Sequence, residues 1–175
     1  MTNAESFEAF VRRYQDMVYA TAVRLLGSPA DAEDAAQTVF LRAYQRYAEV
    51  GANPAAAGWL KTTTRNVCLN QLSRYRSRWR FFSELGDEGR GEYGDRIDSG
   101  VLPIVEQLER QQTAEALEEA LRALPEHQRV PLVLFHFEDM SYEEIARTLG
   151  VSLGKVKTDM HRGRETLRRA LTSGG

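Results

Sequence analysis

The segment 83–102, SELGDEGRGEYGDRIDSGVL, limits what this chain can become more than any other stretch. It holds five of the chain's thirteen glycines together with six acids, and its few apolar residues follow neither a period of 2 nor of 3.6. Ordering such a stretch costs more backbone entropy than its burial returns, so the composition predicts a flexible acidic linker rather than part of a core. A chain of 175 residues cut there leaves two lobes, 1–82 and 103–175. Each must build its own small core from a handful of elements.

Both lobes have a helical period. Phe7, Phe10, Val11, Tyr14 and Val18 lie on one helical face, and Gly27 is placed to close that helix. Ser28-Pro29 then opens a second helix, with a capping serine, proline at the first helical position and Asp31 three residues on, where a capping box has its acid. On this second helix Ala32, Ala35, Ala36, Val39, Phe40, Ala43 and Tyr47 form the inner face, and Asp31, Asp34, Thr38 and Arg42 follow on the opposite side. Asn53-Pro54 opens a third helix carrying Trp59, Leu60, Thr63, Val67 and Leu72, with Trp59 expected in the core. No strand-type alternation occurs, so the predicted class is all-α, in two small helical domains.

The most specific pattern runs from Ser141 to Thr158. Ser141 and Glu144 form a capping box, and Ile145, Ala146 and Leu149 give the following helix its buried face. Gly150 supplies the left-handed residue of a sharp turn, Ser152 caps a second helix, and Val156 and Met160 point that helix inward. A small residue, a turn glycine and then an apolar lock are what two steeply crossing helices require, which is a helix-turn-helix. A hairpin that merely packs would carry mixed surface charge. Here Lys155, Lys157, His161, Arg162, Arg164, Arg168 and Arg169 crowd the second helix, interrupted only by Asp159 and Glu165. That surface fits the major groove, with arginines on phosphates and early side chains at base edges.

The formal net charge of −2 conceals this polarity. Residues 51–80 carry +6 with no acid, residues 81–120 carry −8, and 121–175 carry +2. Within the basic stretch, Arg74 to Phe82 (RYRSRWRFF) interleaves arginines with aromatic residues, which suits a nucleic-acid backbone and unpaired bases better than a membrane surface.

Catalysis finds little footing. Cys68 is the sole cysteine and reads as a small buried thiol, which excludes an internal disulfide and a cysteine-based zinc site. His127, His136 and His161 lack metal-ligand spacing, and no phosphate-cradling glycine motif or nucleophile elbow occurs. Neither a cofactor nor a metal is expected. The N-terminus lacks the basic start and apolar run of a signal peptide, and no stretch approaches a membrane span, so a cytoplasmic location is expected.

Taken together, Asp31-Ala32-Glu33-Asp34 with Gln37 and Phe40, Trp59-Leu60 before Arg65-Asn66, Leu124-Pro125-Glu126, and Ser141 to Ala146 with Gly150-Val151-Ser152 and Val156-Lys157 resemble the extracytoplasmic-function (ECF) sigma factors of the bacterial sigma-70 family. The resemblance covers all but the linker. It implies a region 2 domain of four helices (1–82), the linker (83–102) and a region 4 domain (103–175). The partners implied are core RNA polymerase, through the clamp helices of its largest subunit and the flap of its second largest, promoter DNA, and an anti-sigma factor. Asp31, Glu33, Asp34, Gln37, Leu41 and Arg42 match the polymerase-binding surface. Trp59, Lys61, Thr62, Arg65, Asn66 and Asn70, with the basic Arg74 and Arg76, match the segment that melts and reads the −10 element, and loop 49–58 matches the one that captures a flipped base. Lys157, Thr158, His161 and Arg162 match positions reading the −35 element, joined by Ser152, Lys155 and Arg164 of the same helix, and Leu124 to Arg129 begin a supporting helix. Bond-making would belong to the polymerase, with this chain as its specificity subunit.

Four positions depart from the family pattern. Thr38 stands where an acid is common, Asn70 replaces a frequent Asp, and Pro131 is expected to interrupt a helix that usually runs through. Asp159 stands near where phosphate is expected and should repel it, or accept from a cytosine amino group. Two other readings compete: a dimeric one-component regulator, which has no need for the segment from Trp59 to Phe82, and an adaptor whose basic helices meet acidic proteins. The acidic tether is expected to discourage DNA binding by the free chain.

Overall fold

The computed structural model describes residues 3–72 and 114–173, which fall into two compact units joined by the intervening chain. The expected linker 83–102 and the basic run from Arg74 to Phe82 lie outside the described residues. Every described element is helical, and no strand occurs among them.

The first unit contains α1 (Asn3–Leu26), α2 (Pro29–Gln45), α3 (Tyr47–Val50) and α4 (Ala56–Leu72). Gly27, at φ 71°, ends α1 in the left-handed conformation. The Ser28 hydroxyl then accepts from the Asp31 N–H at 3.3 Å, so α2 starts where its cap predicts. The long helices pack pairwise, α1 on α2 and α4, and α2 on α4. Their shared core takes Val18, Ala22 and Leu25 from α1, Ala32, Ala35, Val39 and Ala43 from α2, and Leu60, Thr64, Val67 and Cys68 from α4, all almost fully buried. The alanine row of α2 is the reason these axes can approach closely. Thr64 is tolerated inside because its hydroxyl donates to the Leu60 carbonyl at 2.6 Å. The Asn53 carboxamide accepts from the Ala55 N–H at 2.9 Å and turns the chain into α4.

Two expectations need correction here. Trp59 is half-buried rather than core, and on α2 the inner face narrows to Ala32, Ala35, Val39 and Ala43. Ala36 and Phe40 lie at its edge, only partly covered.

The second unit contains α5 (Ala114–Ala123), α6 (Glu126–His136), α7 (Tyr142–Leu149) and α8 (Leu153–Ser173). The Ser141 cap forms as predicted, its hydroxyl accepting from the Glu144 N–H at 3.1 Å, while the Glu144 carboxylate accepts from that hydroxyl at 3.2 Å rather than from the Ser141 N–H of a full capping box. Gly150 adopts φ 70° and ψ 36°, and its N–H closes on the Ala146 carbonyl. Val130, Leu134, Ile145, Val156 and Met160 are completely buried around the crossing of α6, α7 and α8. Gly163 sits where α8 passes α6, and a Cβ there would come within 2.7 Å of Leu132 Cδ1 and 3.3 Å of Gln128 Cβ. Glycine is what lets the two helices meet at this depth. Pro131 does not break α6, contrary to expectation: the helix continues through it to His136 with the ring buried against neighbouring elements. Proline removes one N–H from the ladder, and packing on α7 and α8 outweighs that loss.

Candidate nucleic-acid interface

In the first unit, two helix faces that contribute little to the core carry the candidate residues. On α4, Thr62, Asn66 and Asn70 are exposed and Trp59 is half-exposed. Their spacing of three, four and four residues stacks them in one stripe along the helix. Lys61 and Arg65 flank that stripe, partly covered. A stripe of amide, hydroxyl and indole groups edged by two cations can hydrogen-bond base edges and stack on an unpaired base while holding phosphate. Arg74 and Arg76 lie outside the described residues.

Beside the N-terminal end of α4, a pocket of about 400 Å³ opens between α1 and the loop 51–55, lined by Phe10, Arg13, Tyr14, Tyr47, Asn53 and Pro54. Its wall is an aromatic cluster: Phe10 meets Tyr14 at 5.0 Å and Tyr47 at 5.6 Å between ring centroids, both edge to face. The Arg13 guanidinium stands 5.5 Å over the Tyr14 ring. One wall lies in the loop 49–58 expected to capture a flipped base, whereas the α1 wall of Phe10, Arg13 and Tyr14 was missed because it lies some forty residues away in the sequence.

On α2, Glu33, Asp34, Gln37 and Leu41 share one exposed face, with Asp31 and Arg42 exposed at its border. Leu41 is 60% exposed, and Tyr44, which the sequence pattern did not single out, is 59% exposed on the same face. They edge a groove of about 670 Å³ between α1 and α2 whose walls include Phe7, Val11, Tyr19, Ala36, Gln37 and Phe40. Exposed apolar side chains edging an apolar groove are suited to contact with another macromolecule. Thr38 borders the face, its hydroxyl donating to the Asp34 carbonyl at 3.1 Å.

In the second unit, the surface of α8 divides the predicted −35 residues. Arg162 and Ser152 are exposed, and Lys157, Thr158 and His161 are partly so. Ser152 caps the helix, its hydroxyl accepting from the Lys155 N–H at 3.1 Å. Two of the expected contacts turn inward instead. Arg164 is only 3% exposed. Its Nη2 donates to the Tyr142 hydroxyl at 3.1 Å, and its guanidinium lies 6.0 Å from the centre of the Phe135 ring, which stacks on Tyr142. It joins α8 to α6 and α7. Lys155 places its ammonium 2.7 Å from Asp159, with side chains 9% and 7% exposed. Asp159 thus faces Lys155 rather than solvent. Burial pushes its carboxyl upward, and the Lys155 bond and charge work against that push.

Two histidines complete the electrostatics of this unit. Burial, with the Arg164 charge adding to it, drops His136 to about 4. Burial also lowers His127, with Asp159 opposing and Lys155 and Arg162 assisting. Both shifts favour the neutral imidazole. Arg129, almost fully buried, donates from Nη1 to the Leu124 carbonyl at 2.9 Å and ties the start of α6 to the end of α5.

Comparison with known proteins matches a family model to part of each unit. Residues 10–80 match the family model for sigma-70 region 2, and residues 114–167 match that for sigma-70, region 4. The ECF RNA polymerase sigma factor SigW of Bacillus subtilis is 32% identical over 170 residues, covering 95% of this chain and 89% of that protein. The RNA polymerase sigma-E factor of Streptomyces coelicolor is 33% identical over 167 residues, covering 95% and 86%. The ECF RNA polymerase sigma factor SigE of Mycolicibacterium smegmatis is 38% identical over 165 residues, covering 93% of this chain and 60% of that longer protein.

Proposed function

Because the chain belongs to the ECF sigma factors of the sigma-70 family, and so joins core RNA polymerase to promoter DNA, we propose a role for each of its exposed faces. The acidic and apolar face of α2, with Glu33, Asp34, Gln37 and Leu41 at its centre and Asp31 and Arg42 at its border, docks on the clamp helices of the polymerase's largest subunit. The α4 stripe of Trp59, Thr62, Asn66 and Asn70, with Lys61 and Arg65 on phosphate, reads the −10 element as it melts, continued by Arg74 and Arg76. The aromatic pocket beside it takes one extruded base, stacked against Tyr14 or Tyr47. Ser152 at the cap of α8 and Lys157, Thr158, His161 and Arg162 on it meet the −35 element, while region 4 rests on the flap. Region 2 is taken as 1–82, region 4 as 103–175, and 83–102 as the tether.

The observation that carries this reading is the separation of α4 and α8 into one buried face and one polar face each, on two units with independent cores. In this reading bond-making is left to the polymerase, and the chain works wherever core polymerase is, in the cytoplasm. An anti-sigma factor would act by covering Leu41 and Tyr44, whose exposed apolar surface suits a competitor as well as it suits polymerase. A promoter-swap assay tests the assignment. With holoenzyme, Asn66→Ala is expected to lose discrimination among −10 variants only, and Arg162→Ala among −35 variants only. If either substitution weakened all promoters equally, its face would be a phosphate grip rather than a reader.

A further inference from the structure

The buried pair Lys155–Asp159 lies on the flank of the DNA-reading helix and is not explained by DNA contact. Its ammonium and carboxylate approach to 2.7 Å, one helical turn apart, with less than a tenth of either side chain exposed. The Lys155 backbone is held as well, since its N–H bonds the Ser152 cap. Lysine 155 is therefore fixed at both ends within the first turns of α8. Besides Lys155, the groups whose charge is felt at Asp159 are His127, in the first turn of α6, and Arg162, one turn further along α8. A buried charge left without its partner is strongly unfavourable, so each member of this pair holds the other in place.

We propose that Asp159 is a positioning residue that withholds the Lys155 charge from DNA, and so limits the sequence-independent, salt-sensitive part of the affinity. Each lysine that neutralises a phosphate strengthens binding to any sequence alike and steepens its salt dependence. A lysine near the start of a groove-entering helix, swung outward, would do that. Asp159 turns it along the helix flank instead, leaving discrimination to the exposed Arg162 and its neighbours. This inference rests on the proposal that α8 meets DNA.

The test uses holoenzyme binding to promoter DNA and to the same DNA with a scrambled −35 element, each titrated with salt. Asp159→Asn is expected to free Lys155, steepening the log–log salt slope by about 0.9 and raising affinity on both DNAs alike. Lys155→Met is expected to leave the slope as it is, and Lys155→Met/Asp159→Leu, which replaces the pair by apolar groups, to match it. If Asp159→Asn fails to fold, those two variants still decide. A slope flattened by about 0.9 in Lys155→Met would place Lys155 on phosphate and overturn the proposal. An unchanged slope in a folded Asp159→Asn protein would overturn it as well. The reading beneath it has its own arm: Arg162→Ala is expected to lower promoter affinity, and no loss there would remove α8 from the DNA altogether.

Discussion

Leu41 offers a sharp test of the polymerase-facing surface, because its contribution to the fold and to binding can be told apart. Its side chain is 60% exposed on α2, whereas Val39, two residues earlier, is completely buried. Full burial of a leucine is worth about 1.5–3 kcal/mol, so covering the exposed part of Leu41 against a partner would contribute about 1–2 kcal/mol. At 1.4 kcal/mol per factor of ten, Leu41→Ala is expected to weaken core polymerase binding roughly five- to thirtyfold. The same change should move stability by no more than about 0.5 kcal/mol, as surface substitutions do. Val39→Ala should instead lower the thermal midpoint through the cavity it leaves. Anisotropy of the labelled full-length chain titrated with core polymerase gives the affinity, and a thermal melt of the same variant gives the stability. Unchanged affinity for Leu41→Ala would refute the docking face. So would a loss of affinity matched by a loss of stability, since Leu41 would then act through the fold.

Other consequences can be checked independently. Trp59→Ala should keep the thermal midpoint of the first unit within a few degrees yet impair promoter melting, read by permanganate reactivity of unpaired thymines; unfolding of the unit would return Trp59 to the core. Gly163→Leu should destabilise the second unit by several kcal/mol, since even a Cβ would press on Leu132 and Gln128, and overpacking alone costs about 1–3 kcal/mol; an unchanged denaturation midpoint would mean the helices separate freely. His136, lowered to about 4 from an ordinary 6.5, takes up its proton more readily unfolded than folded. Its contribution is therefore intact above pH 6.5 and lost as pH falls toward 4, at up to about 1.4 kcal/mol per pH unit before solvent screening. His136→Asn should flatten the pH dependence of second-unit stability across that window, and an unaltered profile would count against the buried neutral imidazole.

Much of the second unit was legible in the sequence because its signals are local. Ser141, Glu144 and Gly150 act within four residues of themselves, so cap, helix and turn can be read without knowing what packs nearby. The inward set Ile145, Val156 and Met160 follows from the helical period alone. Residues on the flank of a helix are different. The 100° step places Lys155, Asp159 and Arg164 only in angle, and whether such a residue meets solvent or a neighbour depends on where α6 and α7 come to lie. Hence a row of basic side chains looked like one DNA-facing surface, although two of them are spent on Asp159 and Tyr142. Pro131 misled for the same reason: its local cost is real, but tertiary packing overrides it. On α2 the acids and Leu41 were found through the family resemblance, while Tyr44 and the groove needed the position of α1.

Transcription reconstituted from core polymerase and this chain tests the central claim most directly. Purified core with the full-length protein, on a library of genomic promoters, is predicted to yield discrete transcripts whose start sites share a −10 and a −35 sequence. The double variant Asn66→Ala/Arg162→Ala should abolish them while leaving core binding intact. Transcripts indistinguishable from those of core alone would contradict the account.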